Sequence, residues 1–174
     1  MSILKVARMG HPVLRRTARS ITPSDLSDPM MQRLINDMID TMHEYHGVGL
    51  AAPQIHERLR IFVAALDSGE ERTPAEPSVI INPEISIVGS DVVEDWEGCL
   101  SIPDVRGRVP RAREITVRAF DRRGERIQLV AHDFPARVIQ HETDHLDGVL
   151  FLDRMRSFES LTFLDEYARY WAKD

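Results

Sequence analysis

Apolar residues recur every three or four positions between residues 24 and 45, which predicts one long amphipathic helix. The stripe consists of Met31, Leu34, Ile35, Met38, Ile39 and Met42. Pro29 lies near the predicted start, where its missing N–H costs little, and Gly47 follows the end. A second periodic segment predicts a helix over residues 133–146, with Asp133 as its N-cap. A third predicts a C-terminal helix, about 157–172, packed on the rest of the chain.

Extended segments fill the middle of the chain. Apolar or alternating runs predict strands at 60–65, 79–88, 92–99 and 105–109, and a hairpin of 113–121 with 125–131. The polar stretch 68–77 predicts a loop. Because no helices alternate with these strands, antiparallel pairing is favoured over a parallel sheet. The predicted fold class is α+β, with antiparallel sheets packed around the 133–146 helix in a single domain, 1–174.

Composition excludes several classes of protein. The net charge is −6, with 22 Lys and Arg against 28 Asp and Glu, and no dense basic run suggests nucleic-acid specificity. No apolar run is long enough to cross a membrane, and residues 1–6 lack the features of a signal peptide. We therefore expect a cytoplasmic protein with no membrane partner. The single cysteine, Cys99, rules out an internal disulfide and suits a reducing compartment.

Residues 140–145 read Q-H-E-T-D-H and fall inside the second predicted helix. His141 and His145 are four positions apart, so they lie on one face of that helix, with Glu142 beside the first. Two imidazoles on one face can bind a metal ion, and the adjacent carboxylate can carry a proton. A catalytic metal site still needs a third protein ligand and an open position for water.

Three sources of the third ligand can be compared. The metzincin pattern H-E-x-x-H-x-x-G-x-x-H fails, because its last histidine position holds Phe151. A downstream glutamate, as in thermolysin-like proteases, would be Glu159 or Glu166, but nothing around either residue marks a site. Cys99 lies in the segment E-G-C-L-S of residues 97–101. Its thiolate and two imidazoles would suit a divalent ion of the iron or zinc type.

Three segments together resemble the signature motifs of the peptide deformylase family, in that family's order and spacing. They are G-V-G-L-A-A-P-Q at 47–54, E-G-C-L-S at 97–101 and Q-H-E-T-D-H at 140–145. The similarity also covers residues 10–15 and 101–111, and it extends over nearly the whole chain up to about residue 155. H-E-x-x-H alone is far less specific than the three motifs together.

The resemblance implies a hydrolase that removes the N-formyl group from the initiator methionine of nascent polypeptides and releases formate. The ligands of one divalent metal ion would be Cys99, His141 and His145. That ion would be Fe²⁺ in the cell, and Zn²⁺, Ni²⁺ or Co²⁺ could replace it in the purified protein. Glu142 would transfer protons, and the Gln54 amide and Leu100 N–H would stabilise the oxyanion. The implied partners are N-formylmethionyl nascent peptides, with a transient ribosome contact.

By family position, the substrate would pair as an added strand with the backbone at Val48 and Gly49, with Gly98 opposite. Arg106 could contact the substrate backbone. The apolar pocket for the methionine side chain would be lined by Val48, Phe134, Val138 and His141. Arg137 falls where many family members carry an apolar pocket residue, so we expect a narrower pocket or a more polar rim.

Two alternatives to a deformylase belong to other classes of protein. A zinc endopeptidase would use the same helix and leave Cys99 as a spectator. A catalytically inactive homologue would bind formylated peptides without turnover.

Overall fold

The computed structural model describes residues 2–66 and 76–172. Its strands are β1 Gly49–Ala51, β2 Ile61–Ala64, β3 Ser78–Ile87, β4 Val92–Cys99, β5 Ile102–Ala112, β6 Glu114–Phe120, β7 Arg126–His132 and β8 Thr162–Phe163. Its helices are α1 Pro23–Leu26, α2 Pro29–Glu44, α3 Asp133–Leu146, α4 Phe151–Arg154 and α5 Leu164–Tyr170. One sheet has the order β1-β2-β3-β6-β7 and a smaller one the order β4-β5-β8. Every strand pair in them is antiparallel, which confirms the predicted fold class.

The five-stranded sheet is covered by a helix on each face. On β2, Ile61 and Val63 point into a core shared with Met38 of α2. Phe62 and Ala64 alternate with them and point into a second core, which contains Val138, Ile139 and Leu146 of α3. Because successive side chains of a strand face opposite sides, a strand between two helices must be apolar throughout. This explains why all of β2 is buried. The α3 helix also packs against β5 of the smaller sheet, so it touches both sheets.

The predicted helix over residues 24–45 is wrong in one respect, because the structure divides it into α1 and α2. Asp28 has an extended backbone (φ −72°, ψ 123°) and its side chain accepts a hydrogen bond from the Met30 N–H. A proline disfavours the helical conformation in the residue before it, so Pro29 both ends the first helix and starts the second. Thr22 and Asp25 form a capping box on α1.

The predicted C-terminal helix, about 157–172, is also wrong in extent. Thr162 and Phe163 form β8, pairing with Arg106 and Val105, and only Leu164–Tyr170 is α-helical. The free edge of β5 offers backbone hydrogen bonds to this segment, and strand pairing there overrides the helical spacing of its apolar residues. The segment contacts the rest of the chain through Trp96, whose ring lies 4.9 Å from that of Tyr167 and 5.9 Å from that of Trp171.

The strands and the hairpin predicted between residues 60 and 131 are confirmed, but β5 begins at Ile102, three residues before the predicted start. The α3 helix matches its predicted range, although His132 rather than Asp133 occupies the N-cap position. The predicted loop at 68–77 lies mostly outside the described residues. Among the described helices, none is long and apolar enough to cross a membrane.

Candidate metal centre

The fold brings three potential metal ligands together from two elements. His141 and His145 stand on one face of α3, and Cys99 is the last residue of β4. The Cys99 Sγ lies 3.2 Å from His145 Nε2, and the ligand atoms of the three residues all lie within 4.8 Å of one another. All three side chains are buried. The zinc endopeptidase alternative requires Cys99 to be a spectator, and this geometry does not favour it.

Glu97 orients one of the histidines. Its Oε2 lies 2.9 Å from His141 Nδ1, so a proton on Nδ1 leaves Nε2 free to face Cys99 and His145. A carboxylate behind a histidine is a common way to fix the tautomer of a metal ligand. Burial raises the pKa of the Glu97 carboxyl, but hydrogen bonds from His141 and Arg111 lower it more, to about 2. Glu97 is therefore ionised in the folded protein.

Cys99 and His141 change each other's pKa. Burial raises the pKa of the Cys99 thiol, but the charge of His145 and hydrogen bonds with both histidines bring it well below its ordinary value. Burial lowers the pKa of His141, whereas hydrogen bonds with Cys99 and Glu97 raise it well above its ordinary value. The lowered pKa favours the thiolate form of Cys99, and the thiolate is the form that binds metal.

Glu142 lies against the backbone of β1. Its side chain is buried, and burial is the main reason why the pKa of its carboxyl is raised. A Cβ built on Gly49 would collide with this carboxylate, so only glycine at 49 permits the approach. Among the described residues, buried side-chain atoms without a hydrogen-bond partner are Glu142 Oε2, Thr143 Oγ1 and His145 Nδ1. An unpartnered carboxylate oxygen beside three potential metal ligands is able to accept a proton.

Gln54 presents its amide nitrogen to the same cluster. Its Oε1 accepts a hydrogen bond from the Ala51 N–H at 2.8 Å, which fixes the orientation of the amide. Its Nε2 then lies 3.3 Å from Ser101 Oγ and 3.6 Å from Cys99 Sγ. Leu100 follows Cys99 in the turn between β4 and β5. The structure thus brings both predicted oxyanion donors next to the thiolate.

The other predicted substrate residues come from several elements. Gly49 and Gly98 lie on the outermost strands β1 and β4, and Arg106 lies on the central strand β5. Val48 precedes β1, and Phe134 and Val138 lie on α3. Gly98 lies on β4, and a Cβ there would collide with the guanidinium of Arg106, which crosses over it. Val48 and Phe134 are about half exposed, whereas Val138 is buried in the core under α3. An open cleft elsewhere, between α1 and the β6–β7 turn, contains none of these residues.

Arg137 does not have the role expected of it at a pocket rim. It is buried, and the hydrogen bonds of its guanidinium go to Glu97 and to backbone carbonyls of β4 and β5. Glu97 itself, Arg111 and Asp144 were not singled out by sequence reasoning as parts of the site. Glu97 could have been found, because residues two apart on a strand share a face and it lies two positions before Cys99.

The donor set fits one divalent metal ion. A buried thiol with a depressed pKa and an imidazole whose Nδ1 is held by a carboxylate are suited to bind such an ion. Three potential protein ligands with an unpartnered glutamate nearby are typical of a mononuclear metallohydrolase centre rather than of a closed structural site.

Comparisons with known proteins identify which metallohydrolase family this is. A protein-family model described as polypeptide deformylase matches residues 3–160. Peptide deformylase 1 of Prochlorococcus marinus is 42% identical over 170 residues, covering 95% of this chain and 88% of the relative. A crystal structure of class I type b peptide deformylase from Acinetobacter baumannii superposes with a TM-score of 0.83 at 37% identity, covering 89% and 100% of the two chains. A crystal structure of that protein with bound Met-Ala-Ser superposes with a TM-score of 0.82 at 37% identity, covering 88% of this chain and 99% of that one.

The chain belongs to the peptide deformylase family. It is a metal-dependent hydrolase that removes the N-formyl group from nascent polypeptides. The resemblance and the activity that the sequence motifs implied are therefore confirmed, and formylated nascent peptides are its substrates.

Proposed function

We propose that deformylation takes place at one divalent metal ion held by Cys99, His141 and His145. The observation that carries this proposal is the convergence of the three ligand atoms within 4.8 Å of one another, beside a buried carboxylate without a partner. A divalent ion bound there would polarise a water molecule and the formyl carbonyl, and would bring the pKa of the water towards about 7.

In this proposal Glu142 carries one proton from the water to the leaving nitrogen. Its Oε2 accepts a proton from the water as the water oxygen bonds to the formyl carbon. The carbonyl electron pair moves onto the formyl oxygen. When the carbonyl re-forms, the C–N bond breaks, and Glu142 returns the proton to the leaving nitrogen. The second proton of the water passes from the carboxylic acid product to the amine, so the products are formate and a peptide with an α-ammonium group. The pKa of Glu142, raised by burial, suits a group that must give the proton back as well as take it.

Gln54 and Leu100 would stabilise the negative charge on the formyl oxygen. The hydrogen bond from the Ala51 N–H leaves the Gln54 Nε2 hydrogens facing Cys99, where the oxyanion would develop. The Leu100 N–H follows the cysteine directly in the chain and would be the second donor. Removal of one such preorganised donor typically slows a reaction by about 100-fold or more.

The formylated peptide would bind between two outer strands. β1 and β4 are each outermost in their sheets, and carry Gly49 and Gly98 respectively. An extended peptide can add to such strands through main-chain hydrogen bonds, with Val48 on one side and Arg106 on the other. The relative from A. baumannii has a crystal structure with bound Met-Ala-Ser, a peptide that begins with methionine. We propose that the methionine side chain of the substrate lies near Val48, Phe134 and Val138.

The native ion in this proposal is Fe²⁺, and Zn²⁺, Ni²⁺ or Co²⁺ can occupy the same ligands in the purified protein. Resemblance to the family favours iron, and air oxidation would then inactivate the enzyme. We further propose that the protein acts in the cytoplasm on chains emerging from the ribosome, with at most a transient ribosome contact.

The decisive experiment measures formate release from formyl-Met-Ala-Ser together with the metal content of the same anaerobic sample. Glu142→Ala should lower kcat by at least about 100-fold, as loss of a general acid–base group does, while one metal per chain remains bound. Retained activity in this variant would refute the assigned role. A wild-type protein that holds metal but releases no formate would favour the inactive homologue, and cleavage of internal peptide bonds would favour the endopeptidase.

A further inference from the structure

Arg137 lies at the junction between the two elements that carry the metal ligands. It stands on α3 one turn before His141, and it is 6% exposed. Its Nη2 donates to the Val93 carbonyl at 2.7 Å on β4, and its Nη1 donates to the Val109 carbonyl at 2.8 Å on β5. Residues 93 and 99 share β4, so the guanidinium ties the histidine-bearing helix to the strand that ends in the cysteine.

The same guanidinium also fixes the carboxylate that orients His141. Glu97 Oε1 accepts hydrogen bonds from Arg137 Nη1 at 2.8 Å and from Arg111 Nε at 2.9 Å. Glu97 Oε2 accepts from Arg111 Nη2 at 3.0 Å and lies 2.9 Å from His141 Nδ1. The carboxylate therefore has two partners on each oxygen. If Arg137 were absent, Glu97 Oε1 would lose one of its two partners, and Arg111 would be the only arginine that holds the carboxylate against His141, which would give the carboxylate more freedom to shift.

We propose that Arg137 is a positioning residue of the metal centre, which holds β4 against α3 and fixes the Glu97 carboxylate that orients His141. This inference rests on the proposed function of Cys99, His141 and His145 as the ligands. Arg137 acts through Glu97 and the strand and does not touch the substrate. Its loss should loosen the ligand set and speed up release of the metal, whereas binding of the peptide should be unchanged in protein that still carries the ion.

The test compares Arg137→Met with Arg113→Met in protein loaded with Co²⁺. Both variants remove one arginine that pairs with a carboxylate close to α3. Arg113, however, pairs with Asp133 at the surface, where both side chains are more than half exposed. Release of Co²⁺ to an excess of chelator is followed by loss of the cobalt ligand-field bands. Loss of an outer partner of a metal ligand typically weakens a site by about 10- to 100-fold. Arg137 contacts Glu97 and not a ligand itself, so it is one residue further from the metal than Glu97. We therefore expect Arg137→Met to release Co²⁺ about 10-fold faster than wild type.

Three further results separate this role from a general loss of structure. Arg137→Lys keeps the charge but cannot span Glu97 and both carbonyls, so its release rate should lie between those of wild type and Arg137→Met. The effects of Glu97→Gln and Arg137→Met should not add in the double variant, because both changes act on the same hydrogen bonds. At full cobalt loading, the KM for formyl-Met-Ala-Ser should equal the wild-type value in every Arg137 variant. If Arg137→Met does not fold, the cobalt release rates of Arg137→Lys and of the double variant Arg137→Lys with Glu97→Gln are compared with wild type instead.

The proposal is overturned if the Arg137 variants release cobalt at the rate of wild type and of Arg113→Met. It is also overturned if they change KM and leave metal release unaltered, because that result would place Arg137 at the substrate pocket. Both outcomes differ from a failure of the proposed function. If the proposed function fails, the wild-type protein itself will bind no cobalt or will release no formate from the peptide.

Discussion

Replacement of Gly49 by Ala should slow deformylation by displacing Glu142. A Cβ on residue 49 would stand 2.8 Å from Glu142 Cδ and 2.9 Å from its Cγ, and would also collide with Oε1. Non-bonded carbon atoms pack at about 3.5–4.0 Å, so the carboxylate or the strand must move by roughly 1 Å. The strand is restrained by pairing of Gly49 with Ala64 and is fully buried, so the carboxylate should move.

The magnitude follows from that displacement. A shift of about 1 Å in a reacting group typically costs on the order of 100-fold in rate, even when every group is still present. We therefore expect kcat of Gly49→Ala to fall about 100-fold, with metal content unchanged because none of the ligand side chains is touched. Overpacking at a buried position should also lower the free energy of unfolding by about 1–3 kcal/mol.

The assay needs a control that separates displacement from destabilisation. Gly89→Ala provides it, because a Cβ at Gly89 meets nothing within 4 Å, while its positive φ of 70° strains any other residue. This control should lose roughly 1–2 kcal/mol of stability and keep its kcat. Formate release, metal content and thermal unfolding are measured for both variants. If Gly49→Ala, fully loaded with metal, keeps kcat within roughly threefold of wild type, catalysis does not depend on the position of Glu142 against β1.

Three other variants test separate parts of the structure. Cys99→Ser replaces the thiolate by a weaker oxygen ligand, so elemental analysis should find less than one metal ion per chain. Full metal occupancy in this variant would contradict the ligand assignment. Gly98→Ala forces the flexible Arg106 guanidinium aside, so KM for the formyl peptide should rise while metal content stays constant; an unchanged KM would argue against a substrate role for Arg106. Asn82→Ala removes two hydrogen bonds to the Ile21 backbone, worth together about 2 kcal/mol, and also puts alanine at a positive φ of 50°, which adds to the loss. Its Tm should fall by at least roughly 4–8 °C in a thermal melt, and an unchanged Tm would contradict both contributions.

The centre of the site could be predicted from local sequence because helix geometry is local. The four-residue spacing of His141 and His145 places both on one face wherever the helix lies. Cys99 could be chosen only through its neighbours and the family resemblance, because its approach to α3 depends on the packing of β4 against that helix. No spacing rule connects residues so far apart in the chain.

The errors have equally specific causes. A family position alone assigns Arg137 to the pocket rim, although its place four residues before His141 puts it on the same helix face, one turn away. The C-terminal segment has helical spacing, but Thr162 and Phe163 instead complete the edge of β5. A free strand edge is a property of the assembled sheet, so a window of sequence around residue 162 contains no sign of it.

Because the proposed ligands lie on two different layers, a bound metal ion would also stabilise the fold. Cys99 belongs to the β4-β5-β8 sheet, whereas His145 stands on the helix that packs against the five-stranded sheet. The two residues are 46 positions apart in the chain, so one ion bound to both would be a reversible cross-link that closes a large loop. By chain-entropy arithmetic for a covalent link, closing such a loop is worth up to about 4 kcal/mol. Oxidation or chelation would then cut this cross-link, and the smaller sheet would become the first part of the protein open to proteases.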